Sequence, residues 1–177
     1  MKFSPTLICV VACAASLQAP TGATAELTSS ESINFHLEKD PRTWLPEHSV
    51  TNGPVIFTEW VLKGDSVKSW KELFDEKTIL TKDSVRKHVD DWKALLAQVD
   101  SKAEVKEEKN PDGGITVTYT SIAADEMGIS RYFKASDGIC ILSYRVRPKL
   151  KNAETLKIWR DIISSATLVP NHAKKKS

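Results

Sequence analysis

The sequence predicts an α+β domain, with a mainly antiparallel sheet of about six strands and helices packed on its faces. Short runs rich in β-branched and aromatic residues, bounded by turn signals, indicate the strands. Long segments with apolar residues at three- and four-residue steps indicate helices. The strand patterns follow one another as meanders, which favours antiparallel pairing. The predicted order is β-β-α-α-β-β-β-β-α.

Residues 1–25 have the composition of a secretory signal peptide. Lys2 supplies a positive start, LICVVACAASL is an apolar run, and ATA at 23–25 offers small residues for a signal peptidase. No acidic residue precedes Glu26. We therefore predict cleavage after Ala25, which removes 25 of the 177 residues and leaves a secreted or periplasmic protein of 152.

A lipoprotein is the alternative, because VVAC at 10–13 resembles a lipobox and would anchor the protein through Cys13. In either case no stretch is long enough to predict a transmembrane helix, which needs about 20 apolar residues. After cleavage Cys140 is the one remaining cysteine, so no internal disulfide is predicted. We expect Cys140 to be a small buried apolar side chain.

The composition indicates one globular domain, since 41% of the residues are hydrophobic and 27% are charged. The formal charge of +2 gives no reason to expect nucleic acid as a partner. No cofactor is predicted, because the sequence has no phosphate-binding glycine loop and no histidine or cysteine pair with metal-ligand spacing.

The domain is predicted to begin with a partly irregular segment, residues 26–54. It holds one candidate strand at 32–38 and then three prolines, at 41, 46 and 54, that favour an irregular connection. The core is predicted over 55–169. It starts with a strand at 55–63 whose two faces are both apolar, which indicates a sheet covered on both sides.

Two helices are predicted next. Ser69 and Glu72 fit a capping box, and the apolar spacing after them predicts a helix of two to three turns from Ser69. Residues 83–100 predict the clearest helix, with His88 on its solvated side. The apolar stripe of this second helix is Val85, Val89, Trp92, Leu96 and Val99.

Four strands and a helix are predicted to complete the core. Residues 103–110 are highly charged, as suits an edge strand, and a strand at 115–123 follows. Asp137-Gly138 predicts a two-residue hairpin between 129–136 and 139–147. In that register the apolar face is formed by Ile129, Arg131, Phe133, Cys140, Leu142, Tyr144 and Val146. A helix over 152–168, capped by Asn152, and a basic tail at 170–177 end the chain.

The stretch TEWVLKGDSVKSWKELF, the second tryptophan-bearing helix, the four-strand meander and the last helix together resemble the PsbP-like fold. The resemblance covers about residues 32–169 and depends on element order and on the Glu59/Gly64/Trp70 spacing. That fold serves an extrinsic protein of photosystem II, a nuclear-import factor that binds the GTPase Ran, and small exported bacterial proteins, some secreted by the type II system. It implies a binding or accessory role. The family has no common catalytic motif, so the resemblance assigns no site residue.

Gly64-Asp65-Ser66 raises the alternative of a small secreted serine hydrolase. Esterases of the Gly-Asp-Ser type also carry an Asp-x-x-His block, and none of the four histidines of this chain has an aspartate three residues before it. We therefore interpret residues 64–66 as a turn.

One face of the last two strands offers a candidate binding site for an anionic ligand or for the acidic patch of a partner protein. The alternative is an ordinary solvated or helix-covered face. Two roles remain open for Trp44: it is exposed and contacts another protein, or it packs on the sheet and holds its own segment there. The sequence thus favours an exported, non-enzymatic binding protein. The candidate site residues are Tyr132, Lys134, Ser143, Arg145 and Arg147.

Overall fold

The computed structural model describes residues 29–171 of the chain, which hold nine β-strands and two α-helices. The predicted signal peptide, Cys13 and residues 172–177 of the predicted tail lie outside this range. The elements are β1 (Glu31–Asn34), β2 (Trp44–Asn52), β3 (Val55–Leu62), β4 (Glu72–Leu80), α1 (Val85–Val99), β5 (Glu104–Lys109), β6 (Ile115–Ser121), β7 (Glu126–Lys134), β8 (Gly138–Val146), α2 (Ala153–Ser165) and β9 (Thr167–Pro170).

Seven of these strands form one antiparallel sheet in the order β2-β3-β4-β8-β7-β6-β5. The remaining two, β1 and β9, pair with each other. The α+β class and the mainly antiparallel sheet are therefore confirmed, and β5 is an edge strand as its charge predicted. No helix within residues 29–171 has the length and apolar character needed to cross a membrane.

The two helices cover opposite faces of the sheet. On one face, here the α1 face, α1 packs on apolar residues of β6, β7 and β8. On the other, the α2 face, α2 packs on a larger aromatic core that includes Phe74, Tyr144 and Trp159. Cys140 lies fully buried in this second core, as predicted, and burial raises the pKa of its thiol.

Strand β3 confirms that both faces of the sheet are covered. Phe57 and Val61 are buried on the α1 face. On the α2 face, the Trp60 ring stacks on Phe74 with the ring centroids 5.3 Å apart. The near-continuous apolar pattern of residues 55–62 follows from this double burial.

The helix predicted from Ser69 is wrong, because residues 72–80 form β4 between β3 and β8. The Ser69 hydroxyl bonds to Ser66 and caps no helix. Leu73 and Phe74 are both buried, one on each face of the sheet. Because both faces of β4 are buried, apolar residues stand next to each other in its sequence. Their spacing resembles the apolar stripe of a helix.

The irregular connection predicted around the prolines is also wrong, since residues 44–52 form β2. The strand tolerates Pro46 because β2 is a sheet edge and its register with β3 shifts between Pro46 and His48. Of the two roles left open for Trp44, the structure shows the packed one. Its side chain is 7% exposed and packs edge-to-face on Trp159, with the ring centroids 5.4 Å apart.

The turn of the β7–β8 hairpin lies one residue earlier than predicted, which shifts the pairing of the two strands by two residues. Lys134 pairs with Ile139, so the turn lies at Ser136-Asp137. The face assignment survives, because a shift of two residues leaves every side chain on the same side. Gly138 is needed for a different reason: a Cβ there would lie 2.1 Å from the Ile79 carbonyl oxygen in the neighbouring strand.

Both helices begin at a side-chain cap, and the cap of α2 is the one predicted. Ser84 caps α1 and Asn152 caps α2. Val99 does not belong to the buried stripe of α1, since it is 46% exposed. Helix α2 ends at Ser165, earlier than predicted, and the chain continues as β9 beside β1.

Glu76 is half-buried on the α2 face, between Thr58 and Leu142. Burial, followed by the charge of Asp75, raises the pKa of its carboxyl to about 7. The folded state therefore holds this proton more tightly than the unfolded state, so stability falls as the pH rises from about 4.5 to above 7.

We expect Glu76→Gln to raise the free energy of unfolding at pH 8 by roughly 1 to 3 kcal/mol and to change it little at pH 5. Thermal melts at the two pH values measure this difference. The exposed Glu108→Gln makes the same charge change and serves as the control. An equal gain at both pH values would contradict the assignment.

Candidate functional site

The five predicted site residues lie on the α1 face, but the structure does not gather them into one site. Tyr132 is buried in the apolar cluster of α1 with Val85 and Val89, and burial raises the pKa of its hydroxyl. Ser143 is 8% exposed and lies between Asp75 and Ser130 in the sheet. Neither side chain is accessible to a ligand.

The two arginines of the predicted site bind groups of the protein itself. Arg145 Nη2 lies 2.5 Å from Asp75 Oδ2. The Arg147 guanidinium lies over the Trp70 ring, 4.0 Å from its centroid, and donates to the Asp125 carbonyl oxygen at 3.1 Å. Asp75 thus neutralises the charge of Arg145, and the ring and carbonyl contacts hold the Arg147 guanidinium against the protein.

Lys134 is exposed and lines a cleft of about 1070 Å³. The cleft lies where the β4–α1 connection and the β5–β6 and β7–β8 hairpins meet at one end of the sheet. They meet there because neighbouring antiparallel strands reverse direction at the same edge. We call this cleft, lined by residues 80–86, 109–110, 113–115 and 134–138, the basic cleft.

Each of the three connections contributes one exposed lysine to the basic cleft: Lys82, Lys109 and Lys134. Within residues 29–171, none of the three forms an ion pair. A fourth cation, Arg86, is held by Asp90 at 3.0 Å and by Glu107 at 2.6 Å. Three ammonium groups of the lining therefore have no ion-pair partner among residues 29–171.

The lining also contains two carboxylates, Asp83 and Asp137. Asp137 accepts hydrogen bonds from the Ser30 amide at 2.7 Å and the Ser29 hydroxyl at 3.2 Å. Burial alone would raise the pKa of Asp137, but these bonds outweigh it and the pKa is lowered. Four cations and two carboxylates give the lining residues a formal net charge of +2, of which Arg86 is paired with two acids outside the lining.

The first turn of α1 forms one wall of the basic cleft. The Ser84 hydroxyl accepts from the Lys87 amide at 3.1 Å, while the amides of Val85 and Arg86 have no acceptor within the helix. The positive end of the helix dipole adds to the field of the lysines. Together they favour an anion in this cleft.

Ser66 lies in the β3–β4 connection, at the opposite end of β4 from the cleft. Its hydroxyl shares a hydrogen bond of 2.9 Å with Ser69. Of the described histidines, His36 bonds to Glu38 and His48 packs on the Phe57 ring. The prediction that His88 is solvated is wrong, because its Nε2 atom is buried, and no described residue forms a hydrogen bond with that atom.

Sequence reasoning missed Lys82 and Lys109 as site residues. Lys109 comes directly before the NPDGG turn, and Lys134 before the turn of the next hairpin. Lysines that flank turns at the same edge of a meander are a usable sequence signal, whereas the five predicted residues were grouped because they share one face of the strands.

Among the described residues, no group of three or more His, Cys, Asp or Glu side chains is arranged to hold a metal ion. No protein-family model matches the chain, and no curated protein matches it either.

Proposed function

We propose that this protein is an exported, non-enzymatic binding protein whose anionic ligand occupies the basic cleft. The ligand is either a free anion or an acidic group of a partner protein. Export, to the periplasm or out of the cell, is supported by the signal-peptide pattern of residues 1–25. The observation that carries the binding function is the convergence of Lys82, Lys109 and Lys134 on one cleft without ion-pair partners among residues 29–171.

The chemistry of the cleft suits anion binding. Lysine ammonium groups are compact donors that bind phosphate and carboxylate oxygens with charge-assisted hydrogen bonds. The volume of about 1070 Å³ is close to the upper end of small-molecule sites, which span about 300 to 1,000 Å³. The hydroxyls of Thr81 and Ser136 add neutral donors to the lining.

The lining supports binding more than a reaction. It contains no histidine, cysteine or tyrosine among the described residues, and the Ser84 hydroxyl is already used as a helix cap. The resemblance to the PsbP-like fold, a finer assignment than the α+β class, supports the same proposal, since it implies a binding or accessory role. A bacterial protein secreted by the type II system is consistent with both the chemistry of the cleft and the resemblance to the PsbP-like fold.

Charge reversal at all three lysines (Lys82→Glu, Lys109→Glu, Lys134→Glu) is expected to weaken binding of inorganic pyrophosphate by about tenfold or more, because each contact is a charge-assisted hydrogen bond. Calorimetric titration measures the affinity. Amide shifts of residues 84–86 and 113–114 on titration locate the bound anion. The variant should fold normally, since all three side chains are exposed.

The matched control is Lys149→Glu, Lys151→Glu, Lys157→Glu, which makes the same change of net charge with three exposed lysines. Lys149 and Lys151 follow the far end of β8, away from the basic cleft. Equal losses in the two variants, or amide shifts mapped outside the cleft, would overturn the proposal.

A further inference from the structure

The apolar cluster beneath α1 reaches the basic cleft. Val85 and Ile115 belong both to that cluster and to the cleft lining. Val85 is the first residue of α1 and Ile115 is the first residue of β6, so both elements begin at the cleft. Their side chains are buried, at 6% and 5% exposed. The cleft therefore lies against the end of an apolar core.

Two further apolar side chains line the cleft. Ala135 is buried just before the β7–β8 turn, and Leu80 is half-buried at the end of β4, where it pairs with Gly138. Among the described residues of the lining, every buried side chain is apolar, whereas the three lysines are exposed. The lining thus changes from exposed cations to buried apolar groups.

This arrangement distinguishes between two kinds of anion. A small inorganic anion binds the lysines but leaves the apolar groups in contact with water. An anion that carries a hydrocarbon group contacts both parts of the lining, and each methylene removed from water adds to its affinity. Small-molecule sites in proteins are usually of this second kind, with a mostly apolar lining and a few charged or polar groups that fix the orientation.

We infer that the ligand of the basic cleft is an anionic amphiphile, a molecule with a phosphate or carboxylate group and a hydrocarbon body. The three cleft lysines bind the anionic group, and the hydrocarbon body packs on Leu80, Val85 and Ile115. This inference rests on the proposed function of the basic cleft. A lipid within a bilayer keeps its chains in the membrane and leaves these three residues uncovered, so the ligand binds as a dispersed molecule.

The test is a series of alkyl phosphates, from ethyl to hexyl phosphate, in calorimetric titrations of the exported protein at concentrations below micelle formation. We expect the affinity to rise about two- to fourfold with each added methylene, because each one leaves water on binding. Amide shifts at residues 80, 85 and 115 should be larger with hexyl than with ethyl phosphate. Equal affinities across the series would overturn the inference.

Leu80→Asn removes an apolar contact without changing the charge of the lining. It should weaken the binding of hexyl phosphate about fivefold and leave that of ethyl phosphate within about twofold of the wild type. Leu150→Asn is the matched control, because Leu150 is 49% exposed and lies outside the cleft lining. Equal losses of hexyl phosphate affinity in the two variants would contradict the inference, and the wild-type series tests it even if Leu80→Asn does not fold.

The same titrations separate this inference from the proposal on which it rests. If neither pyrophosphate nor any alkyl phosphate binds, the proposed function of the cleft fails. If pyrophosphate binds and chain length has no effect, only the inference fails. Vesicles of phosphatidylglycerol test the source of the anionic group, and we expect them to bind more weakly, per accessible lipid, than dispersed hexyl phosphate. Tight vesicle binding without a chain-length effect would identify a membrane headgroup as the ligand and overturn the inference.

Discussion

Replacing Asp40 by alanine is expected to lower the free energy of unfolding by about 3 to 5 kcal/mol. The Asp40 carboxylate is buried and accepts from the indole nitrogens of Trp44 at 3.2 Å and Trp159 at 2.9 Å. It also binds the Arg42 guanidinium at 2.7 Å. Without the carboxylate, two buried N–H donors lose their partner, and each such group costs about 1 to 3 kcal/mol. The Arg42 guanidinium keeps its contact with Glu72 at 2.7 Å and loses the other carboxylate.

Asp40 connects parts of the chain that are far apart in sequence, since Trp44 begins β2 and Trp159 lies on α2. Thermal denaturation of the variant measures the loss. Glu38→Ala, an exposed acidic residue two positions away, should cost under about 0.5 kcal/mol. Similar melting temperatures for the two variants would show that the carboxylate does not hold these elements together.

Asp40 also makes the free energy of unfolding depend on pH in the acidic range. Burial pushes the pKa of Asp40 upward, but the hydrogen bonds from Arg42 and Trp44 outweigh it and the pKa lies below its ordinary value. The unfolded state therefore binds this proton more tightly, so the contribution of Asp40 is complete above about pH 4 and is lost as the pH falls through the folded-state pKa. In Asp40→Asn, which keeps one acceptor oxygen, this part of the acid dependence should disappear.

The elements that the sequence predicted well are those whose signal is local. Helix α1 combines a serine cap with a repeating apolar stripe, and α2 does the same with Asn152. Strand β6 alternates apolar residues with threonines, because one face is buried and the other is half-exposed. Each of these patterns is complete within about 15 residues and needs no distant partner.

The elements that were missed depend on distant partners. Strand β4 pairs with β8, some 60 to 70 residues later in the chain, and is covered on both faces. Its apolar residues therefore do not alternate. Strand β2 contains Pro46 at the edge of the sheet, where its register with β3 shifts. Local sequence patterns instead predict that a proline interrupts a strand.

The structure separates the predicted site residues because of β4. With a helix predicted from Ser69, nothing placed an acidic side chain opposite the arginines of β8. As a strand, β4 brings Asp75 beside Arg145 and neutralises it. The remaining lysine, Lys134, then belongs with Lys82 and Lys109 at the ends of the strands, which the sheet order brings together.

Arg131 should be the second residue whose loss weakens the domain strongly. Its Nη1 atom donates to three carbonyl oxygens at the C-terminal end of α2, those of Ile163 at 3.2 Å, Ser164 at 2.6 Å and Ala166 at 3.0 Å. Its Nη2 atom lies 2.7 Å from Asp112 Oδ2. The guanidinium thus satisfies carbonyls that the helix leaves free and places a cation at the negative end of its dipole.

Arg131→Met keeps most of the apolar bulk of the side chain and removes these bonds, and we expect it to cost about 2 to 4 kcal/mol. Hydrogen exchange should rise at residues 163–168, where α2 ends and β9 begins, in addition to a general loss of thermal stability. Arg160→Met, an exposed arginine on the same helix, should leave both measurements nearly unchanged.

Arg131→Lys separates the geometry of the guanidinium from its charge. A single ammonium group on a shorter reach cannot serve the α2 carbonyls and Asp112 together, because it lacks the planar fork of arginine. We therefore expect Arg131→Lys to keep less than half of the free energy of unfolding that Arg131→Met loses. Full recovery by lysine would mean that positive charge at the end of α2 is sufficient, and that the link to the β5–β6 hairpin through Asp112 contributes nothing.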